Sequence, residues 1–261
     1  LEKRSDLQKR LDEHKLSTTG AKLILSIDRL DYTKGIPNRI RAFEYFLNKY
    51  PQYKEKVRLI MLAVPSRSNV PQYKKLKRET DELVGRINGQ FSTVNWTPIW
   101  YFYRAIPFDN LIDLYTSAEV ALITPLRDGM NLVAKEYVAT RTNLDGVLIL
   151  SEMAGAAKEM HEAIIINPNN FEQFSDAIKQ AIEMPKEEQA LRIKTLQKRL
   201  KRYSVEKWSD EFMKSLLATQ KSNKTTSVVR LKEILQKNEI EKFQNAKNSI
   251  LFLDYDGTLV G

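Results

Sequence analysis

Short apolar segments alternate with amphipathic segments over most of this chain, and this alternation constrains its fold more strongly than any other feature. Several apolar segments, among them LILSI, VLIL and AIII, are apolar on both faces. Such strands are typical of parallel sheets that helices cover on both sides. The pattern predicts strands at residues 22–27, 57–63, 94–99, 120–124, 146–150 and 163–166.

The segments between these strands have the periodicity of helices. Helices are predicted at residues 38–49, 71–86, 109–117, 131–140, 154–160 and 170–184. Strict alternation of strand and helix favours an α/β fold, a doubly wound Rossmann-like parallel sheet. Ligands bind to such sheets beyond the carboxyl ends of the strands. The loops that follow strands are therefore the first candidates for a functional site.

The pattern changes after residue 185, where two helices are predicted in succession, at 186–201 and 205–218. The polar stretch at 220–227 reads as a linker, and a further helix is predicted at 229–245. The chain opens on a helix-like segment and stops directly after a strand-like one, so both ends read as cuts through a longer polypeptide. The predicted division is a lead-in helix (1–20), a main domain (21–219), a linker and helix (220–249) and the start of another domain (250–261).

The net charge of +9 permits a polyanionic partner of some kind. Most of the excess lies on helical segments with acidic neighbours and without the interleaved aromatic residues of a base-stacking surface. These segments are interpreted as solvated helix faces, with complementarity to a phosphorylated substrate as the second reading and nucleic-acid binding as the third. No apolar run approaches the roughly 18 residues of a membrane span. The lack of cysteine suits a cytoplasmic protein.

The first motif is IDRLDYTKGIP, directly after the first strand. Arg29 and Lys34 stand five residues apart in the loop, Gly35 permits a tight backbone, and Pro37 suits the first turn of a helix. Two cations at the carboxyl end of a strand could neutralise a diphosphate without a metal and stabilise it as a leaving group. The alternative is that both cations only pair with the neighbouring aspartates of the same loop.

The second motif is TPLRDGMNLVAKEY, after the strand VALIT. Asn131 is a predicted helix N-cap, and residues 129–133 would present backbone amides to an anion. Asp128 could accept hydrogen bonds from sugar hydroxyls, and Glu136 could bind both hydroxyls of a ribose. The alternative makes Gly129 an ordinary turn residue and Glu136 the solvated partner of a nearby lysine.

The third motif is AVPSRSNVPQY, after the second strand. Arg67 lies there among small polar residues that would leave its guanidinium free to hold a phosphate in bidentate fashion. An arginine in such a loop is more often an ordinary surface residue, so this motif is weak alone.

Five segments resemble, in order, successive motifs of the trehalose-6-phosphate synthases: DRLDYTKGIP, AVPSR, GRING, RDGMNLVAKEY and GVLILSEMAGAA. The resemblance extends from residue 21 to about residue 218, and several long motifs in order are far more specific than a single one. It implies the carboxyl-terminal domain of a GT-B glycosyltransferase, in which two Rossmann-like domains face each other across a cleft.

The resemblance also implies a role for each matching residue. Contacts to the donor, UDP-glucose or UDP, are implied for Arg29, Lys34, Ile106, Asp128, Gly129, Met130, Asn131, Leu132, Val133 and Glu136. Catalytic roles are implied for Arg29, Lys34 and Asp128. Arg67 matches the arginine that reaches the phosphate of the acceptor, glucose 6-phosphate. Glucosyl transfer in this family is expected to need no cofactor.

The segment SILFLDYDGTLVG, which ends the chain, resembles the first motif of haloacid dehalogenase phosphatases in its trehalose-6-phosphate phosphatase variant. By that resemblance Asp254 is the nucleophile and Asp256 the general acid/base. The remaining ligands for Mg²⁺ are absent, so Mg²⁺ is expected only for a completed phosphatase domain and no metal site for this chain.

The intact parent is therefore expected to make trehalose 6-phosphate with retained configuration, in a bifunctional synthase/phosphatase. This chain alone is expected to be inactive, because an amino-terminal domain would supply most acceptor contacts. The alternative is a non-catalytic, synthase-like scaffold or regulatory domain. The residues leave open the choice among UDP-, GDP- and ADP-glucose and the oligomeric state, a homo-oligomer included.

Overall fold

Six parallel strands form one sheet in this computed structural model, which describes residues 21–225, 233–248 and 250. The strands are β1 (Lys22–Arg29), β2 (Val57–Val64), β3 (Ile99–Tyr103), β4 (Val120–Ile123), β5 (Val147–Ser151) and β6 (Ile164–Ile166). Their order is β3-β2-β1-β4-β5-β6, and each neighbouring pair is parallel. The chain winds outward from β1 and then from β4, so the strand order reverses between them. The predicted doubly wound, Rossmann-like sheet is confirmed.

Helices cover both faces of this sheet. They are α1 (Ile36–Lys49), α2 (Pro71–Phe91), α3 (Phe108–Ser117), α4 (Leu132–Thr140), α5 (Phe171–Glu183) and α6 (Lys186–Arg202). Buried residues of α1, α2 and α5 form one core with one face of the sheet, and those of α3, α4 and α6 form a second core with the other. In β1, Ile24 belongs to the first core, whereas Leu23 and Leu25 belong to the second. This explains why the central strands are apolar on both faces.

The third strand differs from the prediction of residues 94–99. Val94 is fully exposed, and the strand begins only at Ile99. Residues 93 and 96 close a turn through backbone hydrogen bonds, and the buried Trp96 donates from Nε1 to the Val57 carbonyl oxygen at 2.8 Å. Pro98 follows without an amide hydrogen, so regular strand pairing starts after it.

The helix predicted at 154–160 is only a short 3-10 turn, Gly155–Lys158. The amides of Gly155 and Ala156 donate to the carbonyl oxygens of Asp128 and Met130, at 2.9 and 2.8 Å. These two hydrogen bonds join the start of the 3-10 turn to the loop between β4 and α4.

The described residues from Ala21 to Tyr203 form one compact unit, and the described residues from Ser204 onward form a second. The second unit contains α7 (Val205–Thr225) and α8 (Glu233–Asn245). The linker predicted at 220–227 is helical as far as Thr225, because this stretch contains neither glycine nor proline to end the helix. No helix within the described parts of the chain is both long and apolar enough to cross a membrane. The lead-in helix predicted at 1–20 and the strand motif from 251 onward lie outside the described residues.

Candidate functional site

The loops that follow β1 and β4 meet at the carboxyl edge of the sheet. A 3-10 turn, Tyr32–Lys34, begins three residues after the end of β1, and the carbonyl oxygen of Thr33 accepts hydrogen bonds from two amides of the other loop. These are the amides of Leu126, at 2.8 Å, and Arg127, at 3.0 Å. Gly35 ends the turn with a φ of 64°, and a side chain there would press against Leu126. The first two sequence motifs therefore form a single structure at the point where the strand order reverses.

Lys34 and Asp128 form an ion pair between these two loops. The distance from Nζ to Oδ2 is 2.5 Å, and both side chains are largely covered, with 16% and 14% of their surface exposed. Burial alone would raise the pKa of Asp128, but hydrogen bonds from Lys34, from the Met130 amide and from Asn131 hold it below its usual range. The Asp128 carboxylate is therefore negatively charged at neutral pH and accepts hydrogen bonds in a fixed position.

A buried arginine that the sequence motifs did not single out holds the loop that carries Lys34. Arg39 in α1 has no exposed surface and lies 2.9 Å from Oδ2 of Asp28. Burial raises the pKa of Asp28, and the guanidinium of Arg39 opposes that effect. The same guanidinium donates to the Lys34 carbonyl oxygen, and so fixes the loop that carries Lys34. Its further acceptors are the hydroxyl groups of Ser26 and Thr124, on β1 and after β4.

The alternative that the cations of the first motif only pair with aspartates of their own loop is therefore mostly wrong. Asp28 pairs with Arg39, although Lys34 Nζ also lies 4.0 Å from Asp28 Oδ1. Asp31 accepts from the amide and hydroxyl of Thr33. Arg29, predicted in the loop, is instead the last residue of β1, and its exposed side chain has no hydrogen bond or ion pair with the described residues. Its guanidinium is accessible to a ligand.

The loop between β4 and α4 has the predicted N-cap. Oδ1 of Asn131 accepts from the Ala134 amide at 3.1 Å, while Nδ2 of the same side chain donates to Asp128. The Met130 amide also donates to Asp128, at 3.2 Å, so it is already partly used. The amides of Leu132 and Val133 lie in the first turn of α4, where a helix offers no acceptor of its own. These two amides are the best placed to receive an anion.

Gly129 and Gly155 lie on either side of one backbone contact. A Cβ atom at Gly155 would lie 2.0 Å from the Gly129 carbonyl oxygen, so only glycine fits there. A Cβ atom at Gly129 would meet no atom within 4 Å. The loop that carries Asp128 is therefore packed tightly on the side of β5 and has open space at Gly129.

Glu136 lies on the exposed side of α4, one turn after Leu132. Its Oε2 atom accepts a hydrogen bond from the hydroxyl of Tyr115 at 2.7 Å. The nearby Lys135 pairs with Glu159 instead. The alternative that Glu136 serves a nearby lysine is therefore wrong for Lys135.

Arg67 lies after β2 with a φ of 46°, and its guanidinium is not as free as the sequence suggested. It donates from NH1 to the hydroxyl of Tyr73 at 3.3 Å and lies 5.8 Å from the centre of that ring. Tyr73 in turn donates to Oδ2 of Asp31 at 2.8 Å. The loop after β2 is thereby connected to the loop after β1.

Ile106 lies between β3 and α3, half-buried against the second core. The predicted site residues therefore lie at or after the ends of β1, β2, β3 and β4, at one edge of the sheet. Hydrogen bonds join Asp128 directly to Lys34, to the Met130 amide and to Asn131. Asp254 and Asp256 lie outside the described residues. Sequence reasoning gave no role to four residues that shape this edge: Arg39, Tyr73, Tyr115 and Gly155.

Residues 2–218 match the model of Glycosyltransferase family 20. The chain belongs to this family. A relative from Thermoproteus tenax, a bifunctional trehalose-6-phosphate synthase/phosphatase, is 48% identical over 242 residues, which make up 92% of this chain and 33% of the relative. The motif-based resemblance to trehalose-6-phosphate synthases is confirmed.

Solved structures of this kind of synthase have the same fold. A UDP-forming alpha,alpha-trehalose-phosphate synthase from Burkholderia xenovorans, in complex with glucose-6-phosphate, is 38% identical, with a TM-score of 0.75 over 81% of this chain and 48% of that protein. A trehalose-6-phosphate structure from E. coli, bound with UDP-2-fluoro glucose, is 36% identical, with a TM-score of 0.77 over 80% of this chain and 46% of that one. The family 20 chain thus spans about a third to a half of the length of these proteins.

Proposed function

We propose that this family 20 chain is the donor-binding half of a retaining glucosyltransferase that makes trehalose 6-phosphate from UDP-glucose and glucose 6-phosphate. The observation that carries the proposal is the 2.5 Å contact between Lys34 and Asp128 beside the first turn of α4. This contact brings a cation, a carboxylate and a helix N-terminus together at the reversal of strand order, where doubly wound sheets bind nucleotides.

In this proposal, the diphosphate lies against Arg29, Lys34 and the amides of Leu132 and Val133. Fixed cations and amide dipoles stabilise charge that accumulates on a leaving diphosphate, so the transfer needs no metal ion. The bond between the glucose anomeric carbon and the UDP oxygen breaks. A bond from that carbon to the acceptor hydroxyl oxygen forms on the same face, and the hydroxyl proton passes to the departing phosphate.

The two carboxylates of the site would orient the donor. Asp128 accepts hydrogen bonds from the glucose hydroxyls, and Glu136 binds the ribose hydroxyls. Because Asp128 already holds Lys34, the donor would enter with its diphosphate against the same cation. Sugar and diphosphate are then placed in one step.

Arg67 is the proposed contact to the phosphate of the acceptor. The remaining acceptor contacts would come from a second domain of the same polypeptide, a partition supported by the greater length of the related synthases. Joining donor and acceptor in one cleft provides much of the rate enhancement, so this chain alone is expected to bind donor but transfer glucose very slowly. We also propose a phosphatase domain in the parent, supported by the bifunctional Thermoproteus relative and by the Asp254 and Asp256 motif.

Titration calorimetry of the 261-residue chain with UDP tests the donor site. UDP should bind at least about tenfold more tightly than uridine, because charged hydrogen bonds to phosphate contribute about 1.5–3 kcal/mol each. Lys34→Ala should weaken UDP binding, whereas Lys74→Ala, an exposed lysine of α2, should leave it unchanged. If UDP binds no better than uridine, the proposed diphosphate site does not exist. GDP and ADP in the same titration decide the base preference.

A further inference from the structure

Tyr115 is a buried tyrosine whose hydroxyl group reaches the edge of the candidate site. Only 1% of its surface is exposed, and its ring is part of the second hydrophobic core. The hydroxyl donates to Oε2 of Glu136 at 2.7 Å. A core position of this kind needs only an apolar ring, so the hydroxyl group requires a separate explanation.

The backbone around Tyr115 is held as firmly as its ring. The carbonyl oxygen of Tyr115 accepts from NH1 of the buried Arg141 at 2.7 Å, and so does the carbonyl of Thr116, at 2.9 Å. Burial, and then the carboxylate of Glu136, raise the pKa of the Tyr115 hydroxyl, which therefore stays protonated and donates at neutral pH. The position of its hydroxyl oxygen is fixed by the core.

Glu136, in contrast, lies on the exposed face of α4, where a glutamate side chain has several rotamers. Among the described residues, Tyr115 is its only side-chain partner. A carboxylate has about four acceptor positions, and the phenol occupies one. About three remain for other donors, enough for two vicinal hydroxyl groups of one ligand.

We propose that Tyr115 is a positioning residue for nucleotide binding: it holds the Glu136 carboxylate in the one orientation that binds both ribose hydroxyls. The proposal rests on the proposed donor site and adds how that site selects a ribonucleotide. Tyr115 touches no part of the ligand and acts only through Glu136.

The test compares Tyr115→Phe with the unchanged chain by titration with UDP and with 2′,3′-dideoxyuridine diphosphate. Freeing one rotamer-rich side chain should weaken UDP binding about 3- to 10-fold. Binding of the dideoxy nucleotide should not change, because it lacks the hydroxyls that Glu136 would hold. A purely structural effect of the substitution would weaken both nucleotides by the same factor, and that result overturns the proposal.

Tyr137→Phe is the matched control. Tyr137 is a fully buried tyrosine of the same core, and its hydroxyl donates to the carbonyl oxygen of Ala118 rather than to Glu136. This variant should leave the ratio of the two affinities unchanged. In a Glu136→Ala background, Tyr115→Phe should have no further effect on UDP binding. A further loss in that background would show that Tyr115 acts by another route and would overturn the proposal.

The remaining outcomes separate this proposal from the donor site itself. If the unchanged chain binds UDP and the dideoxy nucleotide equally well, the role of Glu136 and Tyr115 is wrong while the diphosphate site stands. If the unchanged chain binds neither nucleotide, both proposals are wrong.

Discussion

The ammonium group of Lys34 lies 2.5 Å from a carboxylate oxygen of Asp128, although 94 positions separate the two residues in the sequence. This ion pair joins the two loops at the reversal of strand order, and Lys34 also lies 4.0 Å from a carboxylate oxygen of Asp28. The cation and the carboxylate are thus in place before a ligand arrives. A site arranged in advance loses less conformational freedom on binding.

The ion pair should make the stability of the fold depend on pH. The pKa of Asp128 in the folded chain lies below its ordinary value of 3.8, so its carboxylate stabilises the fold above that pH. The contribution is lost as the pH falls through the folded pKa. At neutral pH, Asp128→Asn should lower the free energy of unfolding by about 1 kcal/mol, because the pair is partly exposed.

Urea denaturation at pH 7 and near the acid limit of folding measures this difference, which should shrink as the pH falls. Glu82→Gln removes an exposed carboxylate of α2 and serves as the control. A deficit of Asp128→Asn that stayed constant with pH would assign the effect to something other than the charge.

Arg29 should contribute to ligand binding and little to folding. Its side chain is exposed and has no ion pair with any described residue. Arg29→Ala should weaken UDP binding by about 1.5–3 kcal/mol, the range for hydrogen bonds to charged groups. The thermal midpoint should be almost unchanged. Arg78→Ala, which removes the same charge from an exposed position of α2, should alter neither quantity. Unchanged affinity in Arg29→Ala would exclude Arg29 from the site.

Gly155 should be intolerant of any side chain. The Cβ atom of Gly155→Ala would lie 2.0 Å from the Gly129 carbonyl oxygen, so the loop that carries Asp128 must move. Overpacking of this kind costs about 1–3 kcal/mol, and UDP affinity should fall with it. Gly85→Ala is the control, since its Cβ atom meets nothing within 4 Å in the middle of α2. That variant should gain about 0.5–1 kcal/mol. Equal stabilities for the two variants would contradict the close contact.

The sheet could be predicted because its signal is local. An apolar segment such as VLIL in β5 needs helices on both faces wherever it lies, so five of the six predicted strands overlap the observed ones closely. The strand predicted at 94–99 fails because Trp96 is buried by a turn and not by a strand. The helix predicted at 154–160 is wrong, because the amides of Ala157 and Glu159 bond three residues back, to the carbonyl oxygens of Ala154 and Ala156, as in a 3-10 turn.

The site could be predicted only as far as its motifs are contiguous. The N-cap of Asn131 and the loop position of Lys34 follow from short segments, whereas Arg29, predicted in that loop, is the last residue of β1. The roles of Arg39 and Tyr115 do not, because each looks in sequence like an ordinary residue of an amphipathic helix. What sets them apart is their partners, Asp28 and Glu136, and those contacts exist only once the sheet has brought the helices together.

The contact of Tyr73 with Asp31 should control a pKa that NMR can measure directly. Burial would raise the pKa of Asp31, but hydrogen bonds from Thr33 and from the Tyr73 hydroxyl hold it below the ordinary value of 3.8. Tyr73→Phe removes one of these donors, so the pKa of Asp31 should rise towards that value. Tyr45→Phe, at an exposed tyrosine of α1, should leave it unchanged.

The same hydroxyl also accepts from Arg67, so its loss should release both loops at once. A pH titration of both variants, followed by the NMR signals of the Asp31 carboxyl carbon and the Arg67 guanidinium, tests whether the hydroxyl connects the two loops. If the hydroxyl connects the loops, Tyr73→Phe shifts both sets of signals, because the hydroxyl donates to one residue and accepts from the other. If only Asp31 responds, Arg67 is held by the ring of Tyr73 alone, and the loop that carries the proposed acceptor contact is independent of the loop that carries Lys34.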